Sequence, residues 1–373
     1  MKRIIKEKHH SIIFFICLIL CACNQEYNES KYFNGTLQDI KSNHCISKLV
    51  SSKVLPLEGT YYGIPAVYDS LILFHNPKLK TQAFNINNIS TLKEVGTFCE
   101  KGNGPSESVA FSPIYYIFKE EDELKTHLFA PNERKLFQWN ITKSIQRQHT
   151  YYDTIIPFSF REKKSYTYFQ QIFRITTDTV IAKVGVQAVG EADATLPFYQ
   201  KLNVPTEQPV QEYRSFKRTI ANEESTIIPE VFYYTYSTIK PDKTKLAEAM
   251  RNLPQINIID LKTGDIRGFR MKYGEDFSIF KKKNKKLKIH FSSLTADDNY
   301  IYAIYCGKNR PEKGEDFTIN TIYIFNWEGE LRYRLTTDCN ILETALDCIN
   351  NRLYMTVANK DEVRYIDLNE VIN

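Results

Sequence analysis

Glycine is in short supply: 14 of 373 residues, about half the usual share of roughly 7%. The shortage excludes collagen-like and glycine-rich low-complexity architectures. It leaves the turns to Asn and Asp, whose short polar side chains tolerate left-handed backbone. Long apolar runs are missing too. The run Ile12–Ala22 holds eleven residues and as a helix spans about 16 Å, half of a hydrocarbon core, which disfavours a membrane-crossing helix. Neither sign of charge dominates, and a net +5 over this length is too weak to argue for a nucleic-acid partner. Cysteine never occurs as CxxC, so no zinc framework is readable. GxSxG, HExxH and Asp-rich calcium loops are absent as well. Aromatic residues, by contrast, are plentiful: 24 Tyr and 23 Phe lean toward strands, and a 42% apolar fraction is ample for a core.

Lys2, Arg3, Lys6 and Lys8 form a basic region, interrupted by Glu7, ahead of the apolar run. This is the build of a secretory signal peptide over residues 1–22. It ends in Leu20-Cys21-Ala22-Cys23, which resembles the bacterial lipobox. In lipoproteins of that kind the cysteine sulfur receives diacylglycerol, the leader is cut before it, and the new amine is acylated. Cys23 is therefore the expected lipidation site, and several acyl chains on one residue suffice for stable anchoring. Four basic residues and one acidic residue leave with the leader, so the net charge falls to +2. Asn24, rather than Asp, after the cysteine favours the outer membrane of a cell envelope, with the face left open. Residues 23–45 read as a flexible polar tether. Of the remaining cysteines, Cys45, Cys99, Cys306, Cys339 and Cys348, the last two bracket a strand and could pair; the alternative is that they are buried small hydrophobes.

From Ile46 onward short alternating runs are punctuated by polar turns. A turn followed by a strand recurs at Asp69–His75, Thr177–Lys183, Asp242–Glu248, Asp297–Ile304 and Ile349–Val357, with a looser copy at Glu123–Ala130. An alternating strand ending in a polar turn follows each. Its copies are Ala83–Asn88, Leu136–Ile141, Ile256–Gly264, Ile322–Gly329 and Val363–Leu368, with Phe198–Asn203 the poorest. Six such pairs, each with room for a strand before and after, predict an all-β, six-bladed β-propeller of four-stranded antiparallel blades over 46–373. The last blade has sequence for only three strands, and Ile46–Leu55 is left to supply the fourth, which removes free sheet edges. At about 55 residues per blade the excess over the usual 40–50 falls in loops near 185–230 and 270–290. A sandwich or a pair of β domains is the alternative.

At Lys101-Gly102-Asn103-Gly104-Pro105-Ser106-Glu107 the chain resembles the TolB-like six-bladed propeller lipoproteins of Bacteroidetes, which carry a Gly-x-Gly-Pro-x-Glu turn after the first blade. Ser108 stands where those often have Phe. Ile239-Lys-Pro-Asp-Lys-Thr and Ile324-Phe-Asn-Trp-Glu-Gly are similar to two further family segments, although Lys243 and Thr244 depart from a usual glycine. The resemblance implies the fold and an envelope location, and implies no reaction. Gly102, Gly104, Pro105 and Glu107 read as a structural turn: the P-loop Lys-Ser/Thr and the third glycine of a dinucleotide fingerprint are both lacking.

His44, His75, His127, His149 and His290 show no helical metal-ligand spacing, so no metal and no cofactor is expected. A metal site or carboxylate pair gathered from different blades stays open. The basic run Lys281–Lys288 reads as a solvated loop or as a contact for anionic lipid or polysaccharide. Tyr151-Tyr152 and Phe232–Tyr236 read as core or as a sugar-stacking surface. Asp69-Ser70-Leu71, Asp153-Thr154-Ile155 and Asp178-Thr179-Val180 resemble an O-glycosylation sequon, or are turns entering strands. The leading expectation is a membrane-tethered binding or scaffold module for a protein partner or an envelope glycan, with its pocket at the mouth of a central channel. The rivals are a polysaccharide hydrolase or lyase using that channel, and a purely architectural subunit.

Overall fold

The computed structural model describes residues 31–59, 63–157, 166–187, 196–217, 232–281, 287–309, 317–358 and 360–372. The leader, Cys23 and residues 282–286 of the basic run lie outside the described residues. The chain is a six-bladed β-propeller. Three N-terminal strands come first: β1 (Thr36–Asp39), β2 (Ile46–Val50) and β3 (Lys53–Leu55). Blade one is β4 (Ile64–Tyr68), β5 (Leu71–His75), β6 (Gln82–Asn88) and β7 (Glu94–Glu100). Blade two is β8 (Ile117–Glu120), β9 (Glu123–Ala130), β10 (Lys135–Asn140) and β11 (Tyr152–Pro157). Blade three is β12 (Tyr166–Thr176), β13 (Thr179–Gln187), β14 (Phe198–Asn203) and β15 (Gln208–Tyr213). Blade four is β16 (Thr235–Ile239), β17 (Lys245–Met250), β18 (Gln255–Asp260) and β19 (Ile266–Arg270). Blade five is β20 (Lys288–Ala296), β21 (Tyr300–Asn309), β22 (Thr321–Asn326) and β23 (Leu331–Thr337). Blade six is β24 (Ile341–Asp347), β25 (Arg352–Val357) and β26 (Val363–Asp367), completed by β3.

The six predicted strand pairs are the second and third strands of the six blades. These two strands are covered on both faces, so their sequences are the most continuously apolar. Their side chains alternate between neighbouring blades, and the buried core accordingly gathers at six blade interfaces. On β25, Leu353 packs toward blade five while Tyr354 packs toward blade one.

The glycine shortage has a local answer. Every third strand ends in Asn or Asp, and that side chain accepts backbone N–H groups of the following turn. Asn88 accepts from Ser90 and Thr91, both at 2.9 Å, and Asp260 from Lys262 and Thr263, both at 2.9 Å. Asn140, Asn203, Asn326 and Asp367 do the same in the other four blades. Left-handed backbone is spread more widely than expected. Among the described residues nine non-glycine residues have positive φ, and only Asp69 and Asn351 among them are Asp or Asn. Lys243, at φ 62°, occupies the position where the resembled family has glycine.

The N-terminus departs from the expectation in two ways. Lys53–Leu55 alone closes blade six, antiparallel to β26, while Ile46–Val50 runs parallel to β23 as a fifth strand of blade five. Within residues 31–45, the described part of the expected tether, Thr36–Asp39 lies parallel to β19 as a fifth strand of blade four. Tyr32 and Phe33 are buried, with Tyr32 stacked on Phe277 at 5.4 Å. Two aromatic anchors outweigh the polar composition of the segment, because an outer strand needs only backbone pairing on one edge. The strap also covers the edges of β19 and β23. Cys45, Cys99, Cys306, Cys339 and Cys348 are all free thiols, so Cys339 and Cys348 do not pair.

Candidate functional site

Each blade begins with its inner strand, so β4, β12, β16, β20 and β24, together with the segment leading into β8, wall a central channel of about 780 Å³. Alternation decides which side chains reach it. On β16, Thr235, Ser237 and Ile239 are buried, while Tyr236 and Thr238, with Tyr234 just before the strand, open on the channel. The aromatic segment Phe232–Tyr236 thus divides: Phe232 and Tyr233 are core, and Tyr234 and Tyr236 are channel wall. Tyr234 and Tyr236 meet edge to face at 5.2 Å. Tyr115 and Tyr116 join them from the segment before β8. Tyr151 stays outside the channel beneath Arg147 at 4.4 Å, and Tyr152 packs on Phe137.

Five ionisable groups are shaped by this wall. Glu343 faces the cavity from β24, where burial pushes its carboxyl up to about 7 against the hydrogen bond it accepts from Ser293. Burial also raises the hydroxyls of Tyr115 and Tyr236, helped by Tyr234 and Glu343. Lys183, on β13, is driven down to about 8 by burial, partly countered by Glu248. Its ammonium donates to the Thr235 carbonyl and to Thr235 Oγ1 at 2.8 Å. Behind it Glu248 accepts from Tyr199 at 3.0 Å and from Asn257 at 2.8 Å, so Lys183 belongs to a closed polar network between blades three and four. At the opposite mouth stand Asp298, Asp347 and Cys348. Cys348 is exposed, and partial desolvation with the carboxylates of Asp297 and Asp347 pushes its thiol up to about 12, which disfavours the thiolate.

The family-turn residues lie elsewhere. Gly102, Gly104, Pro105 and Glu107 sit on the connection from blade one to blade two and do not line the channel. The Glu107 carboxylate folds back over the two glycines: Gly104 N donates to Glu107 Oε2 at 2.9 Å, and a Cβ on Gly102 would lie 1.9 Å from that oxygen. Lys135 Nζ donates to the Pro105 carbonyl at 3.0 Å. Ser108, in place of the family's Phe, is fully buried and donates to Glu133 Oε2 at 2.6 Å. The turn clips the first blade to the second. The histidines do not converge either, and no group of three or more His, Cys, Asp or Glu among the described residues could hold a metal.

Among solved structures the chain is similar to a member of the DUF4221 family from Bacteroides vulgatus, with a TM-score of 0.54 and 12% identity over 89% of this chain and 96% of that one. The likeness is one of fold. A Bacteroides fragilis protein named as exported matches at TM-score 0.49 and 10% identity, over 88% of this chain and 85% of that one. A luciferin-regenerating enzyme does so at 0.49 and 11%, over 85% and 95%. No family model matches the sequence, and neither does any curated protein.

The channel residues come from every blade, between Ile64 and Ile349, so no linear motif marks them. Glu343 and Lys183 were not singled out by sequence reasoning. The only signal for the site was the Tyr-x-Tyr alternation of Tyr234 and Tyr236.

Proposed function

We propose that this protein is an envelope lipoprotein, anchored through Cys23, whose propeller is a binding module with its ligand site in the central channel. The observation that carries the reading is the channel itself: about 780 Å³, open, and walled by tyrosines and hydrogen-bonding side chains from all six blades. Such a lining suits a terminal sugar unit of an envelope glycan, through ring stacking and hydroxyl contacts. No helix among the described residues is long and apolar enough to cross a membrane, which is compatible with a lipid tether.

The hydrolase reading finds less support. Glu343 has the environment of a general acid. Glycosidases need a second carboxyl within about 5–9.5 Å. Asp347 is four positions along the same strand, hence about 13 Å away. Asp298 belongs to that far mouth as well.

Glycan-array binding of the leaderless protein tests the module, with Tyr236→Ala and Tyr115→Ala expected to lose at least about tenfold in affinity. Unchanged binding in both variants sinks the channel as the site, and released shorter glycans would point to the hydrolase. Radiolabelled palmitate should enter the wild type in cells and not Cys23→Ala; labelling that persists ends the anchor.

A further inference from the structure

Among the described residues that line the channel, Glu343 is a carboxyl set beside the phenols of Tyr115 and Tyr236. Part of its surface opens on the cavity, and among the described residues no cation pairs with it. Ser293 reaches its carboxyl, and Tyr115 and Tyr236 stand close enough for its charge to bear on their hydroxyls. The cations in and beside this wall are engaged elsewhere. Lys183 is held on Thr235, and Arg251 stands over the Tyr234 ring at 5.9 Å. A desolvated carboxylate without a counter-ion is costly. A ligand that brings positive charge removes that cost, and the electron-rich faces of neighbouring aromatic rings favour the same charge.

We propose that the channel holds its ligand through an ammonium group seated on Glu343 between Tyr115 and Tyr236. The inference rests on the channel being the ligand site and gives that site a chemical class. A small amine and an amino sugar with a free amine present the same group. A neutral polyol would leave the carboxylate without its counter-charge. Because Glu343 must be ionised, binding strengthens as pH rises through its titration. The other groups around it do not oppose this: Tyr115 and Tyr236 are pushed up, Lys183 loses charge only toward about 8, and Asp298, Asp347 and Cys348 sit at the far mouth.

Calorimetric titration of the leaderless protein with ethanolamine, glucosamine and N-acetylglucosamine tests this. The last two share one ring and differ at the nitrogen, free and cationic in the first and acetylated and neutral in the second; the Glu343 variant separates charge from bulk. At least one amine is expected to bind, and N-acetylglucosamine at least about tenfold more weakly than glucosamine. Glu343→Gln, nearly isosteric, should weaken the amine about tenfold to a hundredfold and leave the N-acetyl sugar unchanged. Affinity for ethanolamine, which stays protonated across this range, should climb between about pH 6 and about pH 8 in the wild type and stay flat in the variant. Binding by ethanolamine points to a small amine, and binding by glucosamine alone to an amino sugar. Equal affinity for the two sugars with no effect of Glu343→Gln overturns the ammonium. If Tyr236→Ala then abolishes both, the channel survives as the site. Silence from both amines at millimolar concentration also overturns the proposal.

Discussion

Gly102 shows how much one missing Cβ can decide. Its φ is not left-handed, so freedom of backbone is not the reason for glycine here; the reason is space under the Glu107 carboxylate. An alanine would drive that carboxylate off the Gly104 N–H and leave the turn to its backbone hydrogen bonds, Glu107 N to the Gly104 carbonyl and Gly102 N to the Ser108 carbonyl. Gly102→Ala is expected to cost about 1–2 kcal/mol of stability, read as a lower urea midpoint at unchanged slope. An unchanged midpoint would mean that the carboxylate swings aside without loss. The pattern Gly-x-Gly-Pro-x-Glu was legible in the sequence; the carboxylate lid that requires it was not. Likewise Tyr234 and Tyr236 were visible as aromatics, but choosing core or channel needed the register of β16, which only the neighbouring blade sets.

The elements were legible in proportion to their burial. Second and third strands, apolar on both faces, stood out as six pairs. Inner strands carry polar side chains into the channel and outer strands face solvent, so neither had a clear period. The helix α1 (Ile141–Arg147) between β10 and β11 was missed, although Asn140 caps it by accepting from Lys143 N at 2.9 Å. The strap was misread because Thr36–Asp39 is short and mostly exposed, with backbone pairing holding it. The Asn or Asp closing every third strand is the strongest repeat in the chain, once the strands are aligned. Its contribution can be measured at Asn88, whose side chain holds two turn amides. Asn88→Ala should destabilise by about 1 kcal/mol, while Asn88→Asp should retain most of the stability. Equal midpoints for the two variants would show that the turn does not depend on the side-chain acceptor.

At the scale of the molecule, each blade interface joins the next and β3 locks the last blade to the N-terminal segment, so a charge gained inside any blade is felt by the closed ring. Burial holds His75, His127 and His290, in blades one, two and five, at about 4 against an ordinary 6.5. His290 Nε2 lies 3.1 Å from Glu275 yet stays low, because that contact is poorly aligned for a hydrogen bond and burial outweighs it. Each imidazole is neutral when folded and binds a proton more readily when unfolded. Its contribution is complete above 6.5 and is lost as pH falls toward 4, by up to about 1.4 kcal/mol per pH unit. Glu343 works in the opposite direction: raised from 4.5 to about 7, it favours the fold below 4.5, and that contribution disappears as pH rises through 7. Three groups against one make the wild type gain stability from pH 4 upward, but less steeply between 4.5 and 7 than the histidines alone would give. Urea midpoints should therefore climb from pH 4 and level off slightly above neutrality. Glu343→Gln should climb more steeply over that range and end more stable than the wild type by up to about 3 kcal/mol at about pH 8. A variant whose midpoints coincide with the wild type over the whole range would show that Glu343 ionises in the channel without cost, and with that the need for a ligand cation would go.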